Sequence, residues 1–73
     1  MRIVNQSSLI GKTITMVYKN YRGVKEDRVV TVLEFFNGYT PYHSEYQTFM
    51  KGYCHERRAK RDFSINDIEK IME

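Results

Sequence analysis

The sequence predicts a mostly β, antiparallel domain, and three features predict it. Apolar and β-branched residues alternate with polar ones in several short runs, and Gly, Asn and Pro punctuate them. The composition, 41% hydrophobic with six Tyr and four Phe, belongs to a folded globule. A chain of 73 residues buries only about 60 to 65% of its unfolded surface, so residues 1–73 read as a single domain with one core. No repeat, low-complexity tract or linker divides it.

Taken in order, Ser7-Ser8-Leu9-Ile10 before Gly11 can cap and close one helical turn. Thr13 to Tyr18 is a strand with Ile14, Met16 and Tyr18 on one face. Lys19 to Asp27, with Gly23, is a hairpin loop. Arg28 to Phe36 is the most β-prone stretch, and its nearly continuous apolarity implies burial on both faces or a kink between two strands. Asn37-Gly38 signals a turn, followed by a long polar and aromatic loop, Tyr39 to Gln47, that holds the only proline, Pro41. Tyr39, Tyr42 and Tyr46 in that loop either stack on bases or pack with wet hydroxyls. Thr48 to Cys54 is the next strand, with Gly52 marking a bulge or a close backbone approach. A charged turn, His55 to Ala59, leads into a return strand, Lys60 to Ile65, that sets Arg61, Phe63 and Ile65 on one face. Asn66 with Glu69 forms a capping box for a short C-terminal helix carrying Ile68, Ile71 and Met72.

Cys54 is the single cysteine, which excludes an internal disulfide. With no signal peptide in the sequence it fits a reducing cytoplasm, where it reads as a small buried hydrophobe. Adjacent strand residues face opposite ways, so His55 is not expected to serve Cys54 as a base. No apolar run approaches the roughly 18 residues of a membrane helix, so no membrane association is expected.

Charge is distributed unevenly. Residues 1–36 hold six Lys/Arg against three acids, residues 37–61 five against two, and residues 62–73 one against four. The densest basic segment runs from Lys51 to Arg61, where Lys51, Arg57, Arg58, Lys60 and Arg61 face only Glu56.

The segment Phe49-Met50-Lys51-Gly52-Tyr53-Cys54-His55-Glu56-Arg57-Arg58-Ala59-Lys60-Arg61-Asp62-Phe63-Ser64-Ile65-Asn66-Asp67-Ile68 resembles the signature hairpin of WYL domains. The match lies in Thr48-Phe49-Met50 at the strand start, Tyr53-Cys54, Arg57, Arg61-x-Phe63-x-Ile65 and Ile68. Ile14 to Tyr18 and Arg28-x-Val30 resemble the family's earlier strands, so the similarity spans roughly residues 9–72. Thr48 stands in the place of the tryptophan, Val32 in that of a proline and Asp67 in that of an arginine. The resemblance implies an SH3/Sm-like, strongly bent antiparallel sheet or small open barrel of about five strands. It also implies a basic pocket that senses nucleic acid or nucleotides in bacterial regulators and in defence-associated or phage-encoded proteins. That domain usually follows a helix-turn-helix; none precedes it in this sequence, so a stand-alone module is expected.

The residues support such a pocket on their own chemistry. Arginine suits phosphate because its planar fork donates two parallel hydrogen bonds and keeps its charge at any working pH. Arg57 and Arg61 are the leading candidates, joined by Lys51, Arg58 and Lys60, with Phe49 and Tyr53 as stacking surfaces. The alternative is that Arg61 pairs with Glu34, Glu56 or a helix acid while Arg58 and Lys60 are ordinary solvated residues.

The expected function is non-catalytic binding and ligand sensing, with single-stranded nucleic acid or a nucleotide-like anion as partner and no cofactor or metal. A nuclease built on His43 or His55 lacks a constellation of nucleophile, base and oxyanion donor. The stronger rival is a protein-interaction module, a homodimer or an inhibitor of a host protein, that uses the sheet edge and the tyrosine-rich loop.

Overall fold

A computed structural model describes residues 5–72. A short 3-10 turn, Gln6–Leu9, precedes five strands: β1 (Thr13–Lys19), β2 (Lys25–Thr40), β3 (His43–Cys54), β4 (Ala59–Ser64) and β5 (Ile68–Met72). They form one antiparallel sheet in the order β4-β3-β2-β1-β5, so β4 and β5 are its edges. The mostly β class and the N-terminal turn match the sequence reading.

The sheet curls on itself. Tyr18 of β1 meets Phe63 of β4 edge-on, ring centroids 5.0 Å apart, and its hydroxyl accepts the Ser64 amide at 3.1 Å. Two strands that are not neighbours in the sheet are thereby brought together. The inner face holds the core: Leu9, Ile14, Met16, Val30, Val32, Met50, Cys54, Phe63, Ile65 and Ile68, with Tyr18, Phe35 and Ile71 packed against it.

Bulges account for the curvature and for most departures from the sequence reading. β2 is one continuous strand of 16 residues rather than two with a kink. Val32 pairs with Gly52 and Glu34 with Lys51, leaving Leu33 as the extra residue. An inserted residue bends the bulged strand and shifts its side-chain alternation, so Val32 and Phe35 both contribute to the core. Gly52 permits the close approach: a Cβ there would overlap Val30 Cγ1 and lie 3.1 Å from the Thr31 carbonyl oxygen.

The expected C-terminal helix is instead a 3-10 turn, Ile65–Asp67, and strand β5. Tyr18 pairs with Ile68 and Val17 with Lys70, so Glu69 is the extra residue of a bulge. That insertion turns the spacing of two into three, which is why Ile68 and Ile71 imitate a helical face while packing from a strand. Asn66 makes no helix cap, because no helix follows.

The Asn37-Gly38 turn and the Tyr39 to Gln47 loop are corrected as well. Asn37 pairs with Thr48 and Gly38 with Gln47 inside the ladder, and Asn37 Oδ1 accepts the Thr48 hydroxyl at 2.5 Å. A hairpin turn at Asn-Gly needs positive φ, which Gly38 does not adopt. The reversal falls at Pro41 and Tyr42, where the fixed φ of proline suits a turn.

Candidate cationic cavity

The inner face of each strand changes character along its length. β1 runs Ile14, Met16, Tyr18; β2 runs Val32, Val30, Arg28; the inward side of β4 runs Phe63, then Arg61. Register keeps these series together, since Ile14 opposes Val30, Met16 opposes Arg28, and Gly52 opposes Arg61. Where the apolar residues stop, a cavity of about 290 Å³ opens. Arg28, Arg57, Lys60 and Arg61 line it together with Tyr18, Tyr21, Tyr42 and His43.

The turns supply the rest of the wall. Asn20 Oδ1 accepts the Arg22 and Val24 amides at 2.9 and 3.1 Å, and Gly23 takes a φ of 80°, which closes the β1–β2 turn tightly. The adjacent Tyr21 stacks on Tyr42 from the β2–β3 turn, centroids 5.3 Å apart and planes 25° from parallel. His43 is anchored by hydrogen bonds between its ring nitrogens and two partners, Asp67 at 2.9 Å and the Thr40 hydroxyl at 3.3 Å.

The β3–β4 turn is held from beneath by Glu56. Both of its carboxylate oxygens accept the Val29 amide, at 3.1 and 3.0 Å, and the Cys54 thiol points to Oε1 at 3.5 Å. Burial pushes that carboxyl up, yet hydrogen bonds from its own amide, the Val29 amide and Cys54, with the nearby Arg28 charge, outweigh it and hold Glu56 below the ordinary carboxylate range. Arg58 takes the left-handed conformation, φ 53°, and completes the reversal. Burial pushes the Tyr18 phenol above its ordinary value, against the Ser64 amide that donates to it.

Of the residues expected to bind, the fold gathers Arg57, Arg61 and Lys60 at the cavity. Among the described residues none of these three makes an ion pair. Arg28 is the exception among the lining cations: its side chain is 14% exposed and it meets Glu26 at 2.5 Å. Of the helix acids set against Arg61 in the alternative reading, Asp67 holds His43 and Glu69 meets Lys25 instead.

Four expected residues stand elsewhere. Lys51 faces the outer side, 3.9 Å from Glu34 and over the Phe36 ring at 5.6 Å, because it opposes Glu34 across the ladder. Tyr53 is one residue from the inward Cys54 and Gly52, so it points outward, where it meets the His55 ring edge-on. Phe49 is fully buried and unable to stack on a ligand; it lies against Phe36 and meets His43 edge-on at 5.5 Å. Arg58 shapes the turn and does not line the cavity.

Cys54 is buried and lines the cavity floor, while His55 turns away to Thr31, its Nε2 2.8 Å from the hydroxyl. Sequence reasoning missed Arg28, Tyr21 and His43. Arg28 was legible in retrospect as the cation that ends the Val32, Val30 alternation; Tyr21 in its turn and His43 at the start of β3 depend on hairpin ends meeting in space.

Among the described residues no group of three or more His, Cys, Asp or Glu side chains gathers to hold a metal ion, and no helix is long and apolar enough to cross a membrane. No family model matches the chain, and the comparisons with curated proteins and with solved structures found no match.

Proposed function

We propose that this chain is a non-catalytic, WYL-type module of SH3/Sm-like curvature that binds single-stranded nucleic acid or a nucleotide-like anion in the cationic cavity. One observation carries the reading: Arg57, Lys60 and Arg61 line a concave site and, among the described residues, make no ion pair with Asp62, which shares that lining, or with any other carboxylate, beside the largely covered Arg28 that meets Glu26. Such groups retain full capacity to donate to phosphate, and the apolar floor of Phe63 and Tyr18 lowers the local dielectric that would otherwise screen them. The resemblance to WYL domains agrees with a regulatory or defence role in a bacterial or phage setting, and with a cytoplasmic place of work.

A mobility-shift titration with oligothymidylate, repeated over a range of salt, tests the reading. Four cationic contacts to single-strand phosphates give a slope of log affinity against log salt of about −3, and the Arg57→Ala/Arg61→Ala variant lowers its magnitude by roughly 1.4. Binding indifferent to salt, or to that double change, overturns it.

A second reading has its own observation. Tyr39, Tyr42 and Tyr46 are 64 to 69% exposed around the β2–β3 turn, and β4 and β5 leave two sheet edges unpaired. That surface suits a protein partner or a second copy of the chain. Partner capture that survives Arg57→Ala/Arg61→Ala, in a protein that shifts no oligonucleotide, favours this reading over the first.

A further inference from the structure

We infer that the Tyr21–Tyr42 pair is a nucleobase platform, so that the cavity takes one nucleotide unit, its phosphate on the arginines and its base on the two tyrosines. The inference rests on the anion-binding reading and names the ligand class for that site. Four facts support it.

Both tyrosines line the same cavity as Arg28, Arg57 and Arg61, so flat aromatic surface and cationic surface share one small space. The rings are nearly parallel, 25° apart with centroids at 5.3 Å, and remain 67 and 69% exposed. Their stacking is offset or loose rather than closed, and it leaves ring surface to which another flat group can be added. The Arg22 guanidinium lies 5.5 Å from the Tyr21 ring centroid, and its Nε donates to the Tyr21 hydroxyl at 3.2 Å, which restrains that ring further.

Each tyrosine is also borne on a braced turn. Tyr21 sits in the turn closed by Asn20 Oδ1, and Tyr42 donates its amide to the Thr40 hydroxyl at 3.3 Å, beside Pro41. A ring fixed by its backbone loses little freedom when a base settles on it.

Finally, size limits the occupant. About 290 Å³ lies at the small end of ligand pockets and suits one nucleotide rather than several. A free mononucleotide and a single residue of a longer strand present the same chemistry, base plus phosphate, and only measurement separates the two sources.

The experiment is a calorimetric titration of the full chain with adenosine, guanosine, cytidine and uridine 5′-monophosphates, with ribose 5-phosphate, and with oligothymidylate. The expected result is that at least one mononucleotide, or the strand, binds tighter than ribose 5-phosphate by roughly tenfold to a hundredfold, the range of one base stacked on an aromatic ring. Tyr42→Ala and Tyr21→Ala each remove most of that advantage while the weak ribose 5-phosphate affinity moves little, and Tyr42→Phe keeps it. Tighter binding of the strand than of every mononucleotide identifies the strand as the source; the reverse identifies the free nucleotide.

Ribose 5-phosphate binding as tightly as all the base-bearing probes overturns the platform and leaves the anion site standing. Absence of binding by any probe overturns both. Both tyrosines are exposed, so their variants are expected to melt with the parent protein. A tyrosine variant that melts with the parent and keeps the full base advantage also overturns the platform.

Discussion

The two halves of β4 have opposite surroundings although they belong to one six-residue strand. Ala59, Lys60, Arg61 and Asp62 are exposed, whereas Phe63 and Ser64 are buried, the latter with its hydroxyl donating to Gln47 Oε1. Alternation does place Arg61 and Phe63 on the same inward side, opposite Gly52 and Met50. What separates them is distance from the centre of the curled sheet. Phe63 lies under Tyr18, and Arg61 lies two residues nearer the open end. In a small curved sheet one inward face can therefore supply both core and binding surface, and position along the strand decides which. Stability and ligand affinity should accordingly divide along β4.

The largest effect belongs to the buried half. Phe63→Ala removes a side chain only 4% exposed and is expected to cost about 3 to 5 kcal/mol in urea denaturation, a large share of what a domain this small possesses. Lys60→Ala, three residues earlier, should stay within about 0.5 kcal/mol. Comparable losses at the two positions would dissolve the division.

Gly52→Ala comes next, because the added Cβ overlaps Val30 Cγ1 on the neighbouring strand and neither backbone can withdraw without opening the ladder. The expected cost is about 1 to 3 kcal/mol, which thermal unfolding would read as a fall of roughly 4 to 8 °C per kcal/mol. An unchanged melting point would mean that the β2–β3 bend is looser than the packing indicates.

The smallest effect concerns the turn that carries Arg57. Glu56 is held below its unfolded-state pKa, so the stability it contributes is present above the ordinary carboxylate range and is lost as pH falls through its depressed folded-state value. Glu56→Gln should flatten that acid limb by under about 1 kcal/mol, the exposure of the group limiting the effect. The check is a series of denaturation curves from neutral to acid pH. A steeper acid limb in the variant would show that the sign is wrong.

Much of the fold was legible because its cues are local. Ile14, Met16 and Tyr18 alternate without interruption, and the return strand from Lys60 follows a charged turn that the fold retains. Two of the errors share one cause, in that inserted residues change spacing. Leu33 and Glu69 each add a residue to a strand, turning two into three, so β2 resembled a kinked pair and β5 a helix. Asn37-Gly38 misled differently: the dipeptide permits a turn, but Pro41, three residues after Gly38, competes for it and prevails.

The site was half legible for a related reason. Arg57, Lys60 and Arg61 were found from charge density along the chain. Lys51 and Tyr53 shared that density but fall on the outward side of β3, where the Glu34 carboxylate and the His55 ring engage them. Arg28, isolated in sequence from other cations of the cavity, reaches it only because register sets it beyond Val30.

Convergence of arginines from separate elements on one anion is the claim on which the rest depends, and a double-mutant cycle reads it directly. Oligothymidylate affinity would be measured for the parent protein, Arg28→Ala, Arg61→Ala and the pair, with Lys51→Ala as the outward-facing control. A shared phosphate predicts a coupling of at least about 0.5 kcal/mol between Arg28 and Arg61 and additivity within about 0.3 kcal/mol for Lys51 with either. Additive losses at Arg28 and Arg61, or equal coupling to Lys51, would contradict it.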